Sequence, residues 1–426
     1  MIMRITAAER DVLDGIDDDA ILADLAALVA IPSVDGTDGE RLVQAWCAAR
    51  LSDLGLAVDH WPIDVTALAA EPDFPGMEVA RTQAWGCVGV LPATLGAAEA
   101  RPALVFNGHV DVVPTGAKDS WPGGDPFAVR AIDGALWGRG TCDMKAGVAA
   151  VLGAVAALRA SGTPLRRALA VHTVIGEEDG GLGTFATLRR GHRGDACLIA
   201  EPTAGQIIPA NAGALTFRLE IVGRSTHGST RTRGVSALDK LEVINRALRE
   251  LEGARNVRVD RRFDHLDLAW PLSIGIVRAG DWASTVPGHL VAEGRFGVMA
   301  EEPLGAARTL FEAAVADAGR TDPWLVDHPV VVTWSGGAFA SGSLPAGHRL
   351  LDEVSAAATD VTGGAPDVRG APYGSDLRQY AAAGVPCLQY GPGDVRFAHA
   401  TDEHVEVADV LRCARVYALL AVRACR

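Results

Sequence analysis

The sequence predicts an α/β protein with a smaller ferredoxin-like module inserted into it, and three observations predict this. The chain has 426 residues, beyond the roughly 250–300 at which a single hydrophobic core stops growing, so two domains are expected. Residues 1–212 alternate helix-period stretches with short apolar runs. Residues 213–335 then follow a different order of elements.

In the first stretch, 19–30 and 39–54 carry apolar residues at helical spacing. The runs 103–107 (ALVFN), 168–175 (ALAVHTVI) and 196–200 (ACLIA) are short and apolar, and turn residues end them. They read as buried strands, with an alanine-rich helix over 145–160 between them. Such alternation argues for a mostly parallel sheet between helices. In the second stretch, 214–222 alternates as a half-exposed strand and 236–251 is an amphipathic helix. Strands near 272–277 and 290–299, a helix over 303–318 and a strand near 330–334 follow. The order βαββαβ is that of a ferredoxin-like module. The glycine- and serine-rich WSGGAFASGS marks a return to the first domain. A helix from His348, a turn at YGSD and a strand over 386–390 complete it. The expected divisions are 1–212, 213–335 and 336–426.

Hydrophobic residues make up 49% of the chain and charged residues 22%, which suits a large core rather than disorder. A formal net charge of −14 leaves no basic face for phosphate, so nucleic acid is not an expected partner. The amino-terminal MIMRITAAERDVLDGIDDDA has acids where a signal peptide needs an apolar core, and Gly and Pro interrupt the longest uncharged stretches. A cytoplasmic location without a membrane partner is expected. The seven cysteines, an odd number with no CxxC pair, fit reduced buried thiols. Only Cys142, in a glycine-flanked motif, has a claim as a nucleophile, and no other feature supports thiol chemistry.

Acids and histidines fall just after the apolar runs. ALVFN leads into GHVDVVP, with His109 and Asp111, and GRGTCDMKAG places Asp143 at the start of the alanine-rich helix. ALAVHTVI leads into GEEDGG, with Glu177 and Glu178, and CLIA leads into Glu201. PCLQYGPGD is followed by FAHATDEHV, with His399. Singly, each has a plain alternative: an Asp before a helix often just caps it. Jointly, all lie where open α/β sheets bind ligands, outside the carboxyl ends of strands. Burying adjacent glutamates is costly without a cation. Two histidines and three carboxylates without cysteine suit zinc or a comparable divalent ion. If one carboxylate bridges two ions, each keeps one His and one further carboxylate. A shared water then has a place, and one glutamate remains as a base.

GHVDVVP, GRGTCDMKAG, GEEDGG, the Glu201–Pro202 pair, STHGS, GSDLR and AHATDEH, in this order, resemble the dinuclear metallo-amidohydrolases. That family includes acetylornithine deacetylase, succinyl-diaminopimelate desuccinylase, aminoacylase and the glutamate carboxypeptidases. The resemblance implies a zinc-exopeptidase-like catalytic domain and an inserted lid and dimerisation domain. It implies two divalent ions per subunit, zinc with cobalt or manganese as alternatives. His109 and Glu201 would bind the first, Glu178 and His399 the second, and Asp143 both. Asp111 would orient His109, and Glu177 would take the proton from the nucleophilic water and give it to the leaving nitrogen.

From the inserted module, the resemblance implies that His227 reaches the partner subunit's site as an oxyanion donor and that Arg295 grips a substrate carboxylate. Gly374 and Ser375 would contact substrate. ASTVP stands where many members have an asparagine, so Ser284 or Thr285 would have to serve there. The nearby His404 and the remaining histidines are read as structural or surface residues. The function implied is hydrolysis of a small N-acyl amino acid by a homodimer. A dipeptidase or carboxypeptidase would use the same machinery. A non-catalytic metal-binding homologue would have lost a ligand, the base or the lid histidine, and none is missing. A serine hydrolase would need a nucleophile elbow that the sequence lacks.

Overall fold

In the computed structural model, which describes residues 5–95 and 101–426, the three apolar runs are strands buried along their whole length. They are Leu104–His109, Leu169–Val174 and Cys197–Ile199. Helices cover both faces of such strands, which is why they read as continuous apolar runs rather than alternating ones. Leu104–His109 pairs in parallel with both others, and Cys387–Gln389 pairs in parallel with Cys197–Ile199. Ala57–Pro62, Trp85–Leu91 and Ile207–Asn211 add antiparallel pairings, so the sheet is mixed.

Two groups of residues cluster as separate compact units. The first comprises the chain through Ala210, Ser343–Arg369 and Ser375–Arg426; the second is Asn211–Gly342 with Gly370–Gly374. The second unit therefore runs past the expected end at 335. Its last strand, Val331–Phe339, continues through the glycines read as a return, with a register shift between Trp334 and Ala338. A positive φ at Gly336 is what such an irregularity uses. Within this unit, Gly213–Val222, helix Ala237–Arg255, strands Leu272–Ala279 and His289–Val298, helix Leu304–Arg320 and the last strand follow in order. All the strand pairings are antiparallel, with Gly213–Val222 and His289–Val298 in the middle. That is the ferredoxin-like order. Its core joins Leu215, Phe217, Leu219 and Ile221 to Phe296 and Phe311.

The segment Thr141–Ala160 is long and apolar enough to cross a membrane, although no membrane partner is expected from the sequence. Its helical part, Ala146–Ala160, is nevertheless almost entirely buried in the first unit's core. It packs against helices Asp18–Val29 and Val407–Cys425. An all-round apolar helix is what a core position requires.

Candidate active site

The parallel centre of the sheet brings the predicted residues to one edge. His109 ends its strand, Glu177 and Glu178 follow Val174, and Glu201 follows Ile199 on the two neighbouring strands. Asp143 lies in an irregular turn with extended backbone (φ −116°, ψ 101°), just before helix Ala146–Ala160, whose N-cap is Lys145. Asp143 therefore does not cap that helix. His399 adopts a left-handed conformation (φ 63°). Close backbone approach narrows the edge: a Cβ at Gly147 would lie 2.0 Å from the Ala200 carbonyl oxygen, so only glycine fits there.

His109 Nε2 is 3.0 Å from Asp143 Oδ1 and 3.9 Å from Glu201 Oε2. His399 Nε2 is 3.6 Å from the other oxygen of Asp143, Oδ2, and 2.9 Å from Glu178 Oε2. One carboxylate thus offers a different oxygen to each histidine. Donor atoms of His109, Asp143 and Glu178 all lie within 4.8 Å of one another, and so do those of His109, Glu177 and Glu201. Asp111 is fully buried, and its Oδ2 accepts the Glu178 N–H at 3.2 Å. Its other oxygen is 3.6 Å from His109 Nδ1, beyond hydrogen-bond range, and has no partner. Nδ1 instead lies 3.1 Å from the carbonyl oxygen of Asp111. A carbonyl only accepts, so Nδ1 carries a proton, and Nε2, 3.0 Å from Asp143 Oδ1, is the ring atom turned toward the carboxylates.

Burial and mutual repulsion push the Glu177 and Glu201 carboxyls well above the usual range, and burial beside Asp143 raises Glu178. Burial also works against Asp143, but its bonds to His109 and His399 hold it below the usual range. Those to Asp143 and Glu178 carry His399 up to about 10. This crowding of acids around two imidazoles is what a divalent cation relieves. The donor set, two nitrogens and several carboxylate oxygens without thiolate, suits zinc-like ions.

The other expected residues are divided between the two units. His227 is exposed in the second unit, where its Nδ1 accepts the Ser229 N–H at 3.1 Å. Ser284 accepts the Gly228 N–H through its carbonyl, and Thr285 bridges to His227. Arg295, half-buried, donates to the Pro372 carbonyl at 3.0 Å. Gly374 belongs to the second unit, whereas its neighbour Ser375 belongs to the first. Ser375 is buried, and Gln389 Nε2 donates to its hydroxyl at 2.6 Å. Cys142 is buried and its thiol is pushed well above the usual value by burial and nearby acids, which removes its claim as a nucleophile.

One cluster escaped the sequence reading. Arg81, its side chain fully buried, pairs with Asp35 at 2.9 Å, Glu40 at 2.7 Å and Asp179 at 2.6 Å. Asp179 adjoins Glu178, so the cluster anchors the turn that carries both glutamates. Its members come from separate stretches of sequence, and no local pattern links them.

A mixed α/β unit that gathers histidines and carboxylates beyond parallel strands has the frame of a metal-dependent hydrolase. The chain belongs to the peptidase family M20/M25/M40, whose model matches residues 105–423, and it is a metallo-amidohydrolase. It is 31% identical over 418 residues to a succinyl-diaminopimelate desuccinylase of Methylorubrum extorquens, covering 94% of this chain and 97% of that one. It is 27% identical over 404 residues to an N-formyl-4-amino-5-aminomethyl-2-methylpyrimidine deformylase of Bacillus subtilis, covering 90% and 89%. Human carnosine dipeptidase 1 shares the fold, with a TM-score of 0.73 at 17% identity and 99% coverage of both chains.

Proposed function

We propose that this protein hydrolyses the amide bond of a small N-acyl amino acid at a centre of two divalent ions, zinc with cobalt or manganese as alternatives. The observation that carries the proposal is the split of Asp143, one oxygen toward His109 and the other toward His399. In this reading His109 and Glu201 would hold one ion, Glu178 and His399 the other, and Asp143 would serve both. Bound there, such ions supply positive charge that polarises a carbonyl and acidifies water.

The chain's own residues do the rest. Asp111 keeps the proton on Nδ1 of His109 through its carbonyl and holds the Glu178 backbone through Oδ2. Glu177 takes the proton of the attacking water and returns it to the leaving nitrogen. The protein acts as a homodimer joined through residues 213–335, in the cytoplasm. His227 serves the partner subunit's site: because its Nδ1 accepts a hydrogen bond, Nε2 carries the proton and donates to the developing oxyanion. Arg295 binds the substrate carboxylate, Gly374 and Ser375 flank it, and Ser284 or Thr285 takes the lid contact.

Turnover of N-acetyl, N-succinyl and N-formyl amino acids and of dipeptides by zinc-reconstituted protein tests this. Cleavage of one acyl class is expected. Cleavage of dipeptides alone would replace the deacylase reading with a dipeptidase. No turnover of any class by protein holding both ions would overturn it.

A further inference from the structure

Glu403 makes an unusual set of contacts for a buried acid. It is fully buried, and its Oε1 accepts three backbone N–H groups: Gly140 at 2.9 Å, Cys142 at 3.0 Å and Asp143 at 3.1 Å. Gly140 is left-handed (φ 84°), which turns successive N–H groups toward one point and makes the turn a small anion-binding nest. Here the anion is supplied by the chain itself. The other oxygen, Oε2, takes Nη1 of Arg139, which is also buried. The second arm of that guanidinium, Nη2, donates to the carbonyls of Pro114 at 3.2 Å and His399 at 3.4 Å. Trp121 stacks beneath it, 4.9 Å from ring centre to guanidinium carbon.

The pair therefore touches the backbone of both loops that bring imidazole and carboxylate together. Glu403 fixes the turn that aims Asp143. Arg139 holds the carbonyl of His399, a residue in the left-handed region that non-glycine residues occupy only at a cost. From that backbone the His399 ring reaches both Asp143 and Glu178. A buried ion pair alone would only add or subtract stability. This one spends its hydrogen bonds on the two loops.

We infer that Glu403 and Arg139 are positioning residues that set the mutual geometry of Asp143 and His399 and thereby the affinity for the proposed ion pair. The inference rests on the dinuclear reading given above. Neither side chain touches substrate or ion; each acts through backbone.

The test compares Glu403→Gln with the unaltered protein, titrating zinc and cobalt(II) into metal-free samples against a chelator. The melting temperature of the metal-free proteins is measured in parallel. Gln keeps the size of Glu403 but cannot satisfy both the N–H nest and Arg139 as acceptors. A weakening of both ions by ~10–100-fold is expected, the scale of losing a partner that orients a ligand, with an altered cobalt absorption spectrum. Affinities within about twofold of the unaltered protein would overturn the inference, whatever happens to the melting temperature. If Glu403→Gln does not fold, Arg139→Lys decides. It retains a buried cation without the fork, so loss of ~10-fold for at least one ion supports the role and unchanged affinities refute it. Should the unaltered protein itself fail to take up two ions, the dinuclear reading falls; two ions bound equally well by the variants sink only the positioning role.

Discussion

The turn that carries Asp143 and the loop that carries His227 both present a titratable group proposed for the same reaction, yet they are built in opposite ways. Asp143 sits among buried acids whose proton affinities are displaced by burial and by each other. The backbone around it departs from regular structure at Asp143, Met144 and His399. His227 is exposed, on a loop of a regular module whose strand Gly213–Val222 alternates between buried and half-exposed positions. In the first region the geometry is fixed by an excess of charge that a cation balances. In the second it is fixed by an ordinary apolar core, and the functional group is attached afterwards. The first should respond strongly to loss of one carboxylate and the second should tolerate loss of its histidine structurally.

Asp143→Ala is the harshest test of that contrast. Both ions should be lost together, as read by elemental analysis, and turnover should fall by ~10⁴-fold or more. Retention of one ion would mean that Asp143 is not shared. Next in size is Glu177→Gln, which should keep both ions and the fold while lowering kcat by ~10²–10⁴-fold. Loss of metal in this variant would instead make Glu177 a ligand. On the other side of the comparison, His227→Ala should leave melting temperature and metal content unchanged and reduce turnover by ~10²–10³-fold. Mixing Glu177→Gln and His227→Ala chains under subunit exchange should restore activity, because one site of each mixed dimer then carries neither lesion. Proven exchange without recovery would confine His227 to its own subunit.

The smallest effect concerns a histidine away from the acids. His172 is buried on strand Leu169–Val174, with Nδ1 2.8 Å from the Tyr380 hydroxyl. Burial, helped by His192, lowers it from 6.5 to about 3. Between these values the unfolded chain binds a proton that the folded chain refuses, so stability falls as pH drops through this window. In metal-free protein, the loss of unfolding free energy between pH 7 and pH 4.5 should be smaller in His172→Gln than in the unaltered chain, by on the order of 1–3 kcal/mol. Equal losses would show that this burial does not cost the folded state its proton.

Most of what the sequence revealed was revealed by period. Val105, Phe106, Val171 and Leu198 lie in unbroken apolar runs because both faces of their strands are covered, and the acids just beyond them stand out. The antiparallel strands Ala57–Pro62 and Trp85–Leu91 did not stand out: Asp59 and His60 interrupt one, and Gly86 and Gly89 dilute the other. Trp61 packs where a Cβ at Gly86 would be, a fit that only three dimensions display. Among the proposed site residues, His109, Glu177, Glu178 and Glu201 were legible because each follows an apolar run, and Asp143 and His399 because they stand in turns just before a helix or after a strand. Arg81 was not, since an arginine before TQAW looks like any surface residue until Asp35, Glu40 and Asp179 close around it. Glu403, three residues before Glu406 at the end of strand His404–Glu406, likewise gave no sign that three N–H groups converge on it.

The buried apolar helix has a consequence for how the chain is made. Residues 146–160 find one neighbour early, in Asp18–Val29, but another is Val407–Cys425, which the ribosome delivers about 250 residues later. At ~5–20 residues per second that leaves an interval on the order of tens of seconds. During it, a segment greasy enough for a bilayer waits with one flank uncovered. Until the later helix arrives, the packing around residues 146–160 cannot be completed, so this part of the core closes last.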